Sequence, residues 1–379
     1  LRAGFIMPKL FGPQELVRDV QDKGLCIGCG ACVDLCPYFA SHRGRTSQLF
    51  PCSLEAGRCF AYCPKVEVDL DALSRHLFDQ PYDGSPLGRR REVLAARAGR
   101  SMPEGRFQGG GSVSAVLGFA LKQGLIDAAA LTDREGFTPV PRLATRWREV
   151  LAFAGSKFMA APTLSALHSA RRRGYRRLGL AGTPCQMTAV AQMRANPTGK
   201  EEHRMPIELA VGLFCNWALD TRALIDHTRA VLDPAAVRFM EIPPPPADAM
   251  RLDTDGGPVE IPLTEVRRLI APTCFICLDL TAEFADLSIG MFEGRPGWNT
   301  LITRTARGAQ IVAHAREEGF LETEPFPAEN LEHLMQAAAA KKLRALRMLI
   351  QKGLLNSPGD GRAAVRMPQA IVDRLLAAP

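Results

Sequence analysis

The sequence predicts a mixed fold, α+β passing into α/β, in which a short cysteine-rich segment precedes a helix-and-strand core. Three observations predict it. Seven of the eleven cysteines fall within the first 70 of 379 residues. Residues 76–108 are rich in Arg, Gly and Pro and lack periodicity, as in QPYDGSPLGRRR. From Gly109 onward, helical and strand patterns alternate. The expected boundaries are a metal-binding segment at 1–75, a linker at 76–108, an α/β core at 109–325 and a helical tail at 326–379.

Composition narrows the function classes. Hydrophobic content of 46% and charged content of 23% are those of an ordinary globular protein. No run of about 18 apolar residues exists, so no membrane span is expected. The first residues show neither an apolar h-region nor an A-x-A site, so no secretory signal is expected and the compartment read is cytoplasmic. There, eleven cysteines point to metal rather than disulfides. The net charge of +7, with Arg runs at 89–91 and 171–173, reads as a basic surface or an acidic-partner face. Without a zinc finger, a helix-turn-helix pattern or an aromatic-interleaved basic stripe, nucleic acid is not expected.

The first motif is Cys26-x2-Cys29-x2-Cys32-x3-Cys36-Pro37. Three thiolates at this spacing reach three corners of a cubane, while the fourth serves a second cluster, as in ferredoxins. Gly28 and Gly30 let the loop curl. The second motif is Cys52-x6-Cys59-x3-Cys63-Pro64. In the crossed arrangement, Cys26, Cys29, Cys32 and Cys63 hold one [4Fe-4S] cluster. Cys36, Cys52 and Cys59 are left with no fourth thiolate, because position 49 is Leu49. Three outcomes stay open: a three-iron cluster, a non-cysteine ligand such as Asp34 or His42, or a single cluster with structural cysteines.

The core begins with Gly109, Gly110, Gly111 and Ser112, a glycine-rich turn leading into a helix (Val113, Val116, Leu117, Ala120, Leu121) that stops at Gly124. Such a turn presents backbone N–H groups to a diphosphate, and Ser112 is alternatively a plain N-cap. AAALT reads as a strand, Thr163–Arg172 as a helix, RLGLAG as a strand and CQMTAVAQMR as a helix. Pro243–Pro246 reads as a loop, MRLDTDGGPVEIPL as a hairpin across 255–257, and LSIGMF and TLITRT as strands. From Ala328 to Lys352, Leu331, Leu334, Met335, Leu343, Leu346 and Ile350 keep a helical period. Cys185, Cys215, Cys274 and Cys277 are four thiols, enough for one more cubane, with a structural zinc or inert buried thiols as alternatives. Lys157 suits a phosphate or a flavin, or solvated surface. Trp298 suits a site or the core, and Arg304 a phosphate or an acid. The seven histidines are scattered and no catalytic residue stands out.

The ordered series GGGSVSAVLGFALKQGLID, GSKF, GTPCQ, LFC, CFICLDLTAEFADLSIG and PGWNTLITRT spans roughly residues 105–350. It resembles the beta subunits of coenzyme F420 (deazaflavin) reducing hydrogenases and formate dehydrogenases. The resemblance implies that Cys185, Cys215, Cys274 and Cys277 hold a [4Fe-4S] cluster beside FAD. With FAD so implied, the candidate residues for binding it are Gly109, Gly110, Gly111, Ser112, Ser114, Lys157, Thr183 and Asp286. The resemblance also brings branches that reduce chlorophyll-type pigments. The ferredoxin-like segment is a departure, since the plain hydrogenase subunit begins near the glycine turn.

The expected function is a flavin and iron–sulfur oxidoreductase subunit. It would convert hydride transfer, from a deazaflavin or NAD(P)H, into one-electron flow to a hydrogenase- or dehydrogenase-like partner subunit or ferredoxin. The alternatives are a flavin-free relay and a stand-alone ferredoxin-dependent reductase of a tetrapyrrole or another unsaturated substrate.

Overall fold

The computed structural model describes residues 9–105, 107–243, 247–356, 362 and 364–377. Eight strands form its main sheet: β1 Glu92–Ala98, β2 Ala128–Glu135, β3 Thr138–Ala144, β4 Leu178–Gly182, β5 Ile207–Leu213, β6 Leu287–Met291, β7 Asn299–Thr303 and β8 Leu321–Pro325. Their order is β8-β1-β7-β6-β5-β4-β2-β3. The pairs β2–β4, β4–β5 and β5–β6 are parallel, and the outer pairs are antiparallel.

Alternation along the strands builds three layers. Ala128, Ala130, Leu178, Leu180 and Ala210 bury one face with the helices α2 Ser165–Arg172 and α3 Pro184–Ala195. Ala129, Leu131, Ala181, Leu209 and Val211 bury the other with α1 Ser112–Lys122 and α5 Ala306–Glu317, the helix α4 Thr221–Arg229 lying elsewhere. The expected hairpin forms as Ala249–Thr254 paired with Gly257–Pro262, with Val237–Glu241 as a third strand. Pro244–Pro246 of the proline run lie outside the described residues.

Two expectations need correction. Residues 92–98, read as linker, form β1, which lies between β7 and β8 inside the sheet. The tail from 326 is more than a helix. After α6 Ala328–Gln351, Leu355–Asn356 and Val365–Arg366 add parallel strands to Val68–Asp69. Leu346, Leu349, Ala364 and Val372 thereby share a core with Leu16, Phe60, Val66 and Leu73 of the cysteine-rich segment. No helix among the described residues is long and apolar enough to cross a membrane.

Candidate functional site: one sheet edge and eleven thiols

Strand directions decide where the chemistry gathers. β1 is antiparallel to β7, which is antiparallel to β6, so β1 runs with the parallel strands. The carboxyl ends of β1, β4, β5 and β6 and the start of β7 therefore share one edge. In open α/β sheets this edge carries ligands. The chain leaves β4 through Thr183 and Cys185, and leaves β5 through Cys215. It returns after β1 through Gly109–Gly111 into α1.

The glycine turn is tightly fitted. Gly109 and Gly111 have φ of 74° and 75°, where side chains are strained. A Cβ at Gly109 would meet Asn299 at 2.8 Å, one at Gly110 the Ala96 carbonyl at 2.9 Å, and one at Gly111 the Phe107 ring at 2.8 Å. Asn299 Oδ1 accepts from the Ser112 N–H at 3.2 Å, and its Nδ2 donates to Gly290 O at 3.1 Å. The Ser112 hydroxyl is fully buried and has no hydrogen-bond partner among the described residues. Ser114 is also buried. Asn299 goes unnoticed in the sequence, although it sits inside the quoted PGWNT.

The other flavin candidates are placed differently. Lys157 lies near the turn, since Ser156 N–H donates to Gln108 Oε1. Its ammonium donates to Phe153, Ala154 and Gly155 carbonyls at 3.1–3.3 Å, and burial lowers its pKa. Thr183 Oγ contacts Cys185 Sγ at 3.2 Å. Asp286 is not at the turn. Its buried carboxylate accepts from Arg194 (2.7 Å), Ala210 N–H (2.8 Å) and the Thr305 hydroxyl (3.0 Å), a tether between layers. Arg304 is likewise enclosed. It donates to Leu87, Arg89 and Thr281 carbonyls and to Ser288, and so is committed to neither a phosphate nor an acid. Arg97 and Arg295 both lie over the Trp298 ring, their guanidinium carbons 4.7 and 3.9 Å from its centre.

None of the eleven cysteines is in a disulfide. Cys185, Cys215, Cys274 and Cys277, spread over 93 positions of sequence, lie close enough to feel one another's charge. Burial pushes Cys185 up to about 11 and Cys215 and Cys274 upward, and each also feels other thiolates of the four. The Ala218 N–H points at Cys274 Sγ at 3.3 Å. Lys341, buried on α6, donates to the carbonyls of Cys215 and Asp279. Among the described residues, no three His, Cys, Asp or Glu side chains are gathered to ligate a single ion. Four cysteine thiols are a donor set that a cubane can use, one thiolate to each iron, and that a zinc tetrahedron can use as well.

The first seven cysteines fall into two sets. In the inner set, burial raises Cys29 and Cys32 well above the ordinary thiol and Cys63 to about 12. Cys63 acts on both Cys29 and Cys32, and Cys26 acts on Cys32 and Cys63. In the outer set, Cys59 is raised to about 11, first by burial and then by Cys36 and Cys52. Cys32 also feels Cys59, and Cys29 feels Cys185, so the three groups form a chain from outer set to inner set to sheet edge. Gly28 and Gly30, at φ of 67° and 86°, let the loop press on Gly44 and Pro162. Asp34 faces Arg172 at 3.9 Å. His42 is at the tip of the Phe39–His42/Arg45–Gln48 hairpin, whose base adjoins Cys36 and Cys52.

His168 braces this loop. Its Nε2 lies 3.0 Å from Ala31 O, so Nε2–H donates, and its ring stacks on Tyr62. Burial, with Arg58, Arg172 and Arg171, outweighs that bond and holds the imidazole down at about 4. A depressed folded value means stability present above about 6.5 and lost as pH falls through about 4. Between those limits the wild type is expected to lose roughly 3 kcal/mol more than His168→Phe, measured as urea midpoints at pH 7 and 4. Parallel pH profiles would refute the neutral, buried histidine.

Family models match most of this architecture. Two describe the coenzyme F420 hydrogenase/dehydrogenase beta subunit: the model of its C terminus matches residues 175–329, and the model of its N-terminal part matches 93–168. A 4Fe-4S binding domain covers 20–40. The chain belongs to the family of coenzyme F420 hydrogenase/dehydrogenase beta subunits. The family's N-terminal part begins inside β1, consistent with that strand's place in the sheet. The beta subunit of the coenzyme F420 hydrogenase of Methanothermobacter thermautotrophicus is 30% identical over 266 residues, covering 68% of this chain and 94% of that protein. A protein of the F420H2 dehydrogenase of Methanosarcina mazei is 26% identical, covering 83% and 89%. A coenzyme F420-dependent sulfite reductase of Methanocaldococcus jannaschii is 27% identical over 78% of this chain, but only 46% of that protein is matched. A chain of the F420-reducing [NiFe] hydrogenase complex from Methanosarcina barkeri superposes with a TM-score of 0.63 at 26% identity, covering 71% of this chain and 95% of that one. This member of the family is thus an iron–sulfur electron-transfer protein of oxidoreductase type.

Proposed function

We propose that the chain is the hydride-to-electron converter of an oxidoreductase complex. It would bind FAD at the sheet edge and pass electrons through three iron–sulfur sites to a hydrogenase- or dehydrogenase-like partner subunit. One observation carries the flavin part: a turn that only glycine fits and a fully buried Ser112 hydroxyl, without a partner among the described residues, share an edge with Cys185 and Cys215. The α1 N-terminus and the Ser112 hydroxyl would take a diphosphate, and Asn299 would hold the turn in place. When bound, the flavin would supply the exchange between hydride and single electrons. Cys185, Cys215, Cys274 and Cys277 would hold the adjacent cluster, with Lys341 and the Ala218 N–H setting its electrostatics. The names of the relatives favour a deazaflavin over a nicotinamide as the hydride carrier.

Anaerobic purification with iron, sulfide and flavin quantification tests this reading. Near-stoichiometric FAD is expected, with viologen reduction by reduced coenzyme F420 but not by NADH. Gly111→Val, driven into Phe107 at a left-handed φ, is expected to lose the flavin while keeping iron and sulfide. Iron and sulfide without flavin in the wild type would instead make the chain a flavin-free relay.

A further inference from the structure

We infer that Lys65 is an electrostatic element shared by two iron–sulfur clusters, one buried ammonium that raises the reduction potentials of the inner cluster and the sheet-edge cluster together. The inference rests on the reading that Cys26, Cys29, Cys32 and Cys63 hold the first, and Cys185, Cys215, Cys274 and Cys277 the second.

The geometry starts at the Cys63-Pro64 turn. Pro64 turns the chain so that Lys65 points inward, leaving the residue 7% exposed. Its Nζ donates to Thr273 O at 3.4 Å, on the residue before Cys274. Thr273 is itself buried, and its hydroxyl donates to Leu25 O at 2.8 Å, on the residue before Cys26. A lysine and a threonine therefore stitch the approach to one set of thiols onto the approach to the other. The charge of Lys65 acts on Cys63 in the inner set and on Cys185 and Cys274 at the sheet edge.

Among the described residues no carboxylate pairs with Lys65. A buried cation without a counter-anion costs several kcal/mol, so its retention calls for negative charge nearby. Thiolates from both sets are the anions whose fields it meets. Placed there, an ammonium stabilises each added electron in a low-dielectric setting and so raises both potentials. Lys341 offers an internal comparison. It is also buried, but its contacts are Cys215 and Asp279, and its charge acts on Cys277, Cys215 and Cys274.

The test is an EPR-monitored redox titration of the anaerobically purified full chain. Wild type, Lys65→Met, Lys65→Arg and Lys341→Met are compared, with iron and sulfide content measured on each. Lys65→Met is expected to lower the reduction equilibrium of both clusters about tenfold, a fall of about 59 mV for one electron. Lys65→Arg should restore both midpoints, and Lys341→Met should lower only the sheet-edge one. If Lys65→Met fails to retain iron, Lys65→Gln keeps a donor for Thr273 O without the charge and must show the same paired fall. A shift of one midpoint alone, or of neither, overturns the inference. A wild type lacking two EPR-active clusters would instead remove the cluster reading itself, and the inference with it.

Discussion

Cys63→Ser is expected to abolish the inner cluster while leaving the outer set's iron in place, and Cys36→Ser to do the reverse. Each variant should lose one cluster's complement of iron and sulfide, read by chemical analysis and by the disappearance of one EPR signal. The physical case is that chain order and spatial order disagree. Cys36 lies four positions after Cys32, yet it acts on Cys59, whereas Cys63, 31 positions beyond Cys32, acts on Cys29 and Cys32. The short helix Arg58–Ala61 and the Pro64 turn return Cys63 to the first loop. There Gln192 holds its carbonyl at 2.9 Å. Because the inner set stands between the outer set and Cys185, Cys63→Ser should also stop electron flow between them, while reduction at the sheet edge continues. Loss of the inner signal in Cys36→Ser, with retention in Cys63→Ser, would mean that each cysteine run serves its own cluster.

Spacing makes the cysteines legible because thiolate geometry is a local constraint, and short apolar and β-branched runs make β4, β6 and β7 legible for the same reason. What is not legible depends on distant partners. EVLAARA follows an arginine run in breaker-rich sequence, and its partners are β7 and β8, about 200 residues on. β3 carries Pro139 and Pro141, which an interior strand would not tolerate; it survives as the sheet's last strand, paired on one side only. Asp286 and Arg304 lie in motif segments and read as site residues there. A buried tether needs the same charged atoms as a ligand contact, and only the surrounding partners separate the two. Asn299 is the opposite error, since a side-chain amide that orders a glycine turn has no signature of its own. On α6, Lys341 and Lys342 are buried beside the apolar residues that keep the helical period, and that burial has no signature in the sequence.

Lys342 gives the largest stability effect expected. Its Nζ donates to Glu283 Oε1 at 2.5 Å and to Tyr82 OH at 3.0 Å, and all three residues are buried. Burial pushes Glu283 up to about 7, against the pull of Lys342, while the attraction of Glu283 raises Lys342 despite its own burial. Lys342→Met leaves the carboxyl without its cation, at an expected cost of about 3–5 kcal/mol. The pH dependence has a definite sign. Without Lys342 the folded pKa of Glu283 rises further above its unfolded value of 4.5. A carboxyl displaced that way adds no penalty while protonated in both states, and the penalty grows as pH rises towards the folded value. Denaturant midpoints should therefore show a smaller loss at pH 5.5 than at pH 8, and an equal loss would refute the assignment. Adding Glu283→Gln should recover most of the stability, because it removes the stranded charge rather than replacing the contact. The same helix carries Lys341 onto the Cys215 carbonyl, so Lys342→Met at pH 8 should also release iron from the sheet edge before the inner set loses its own.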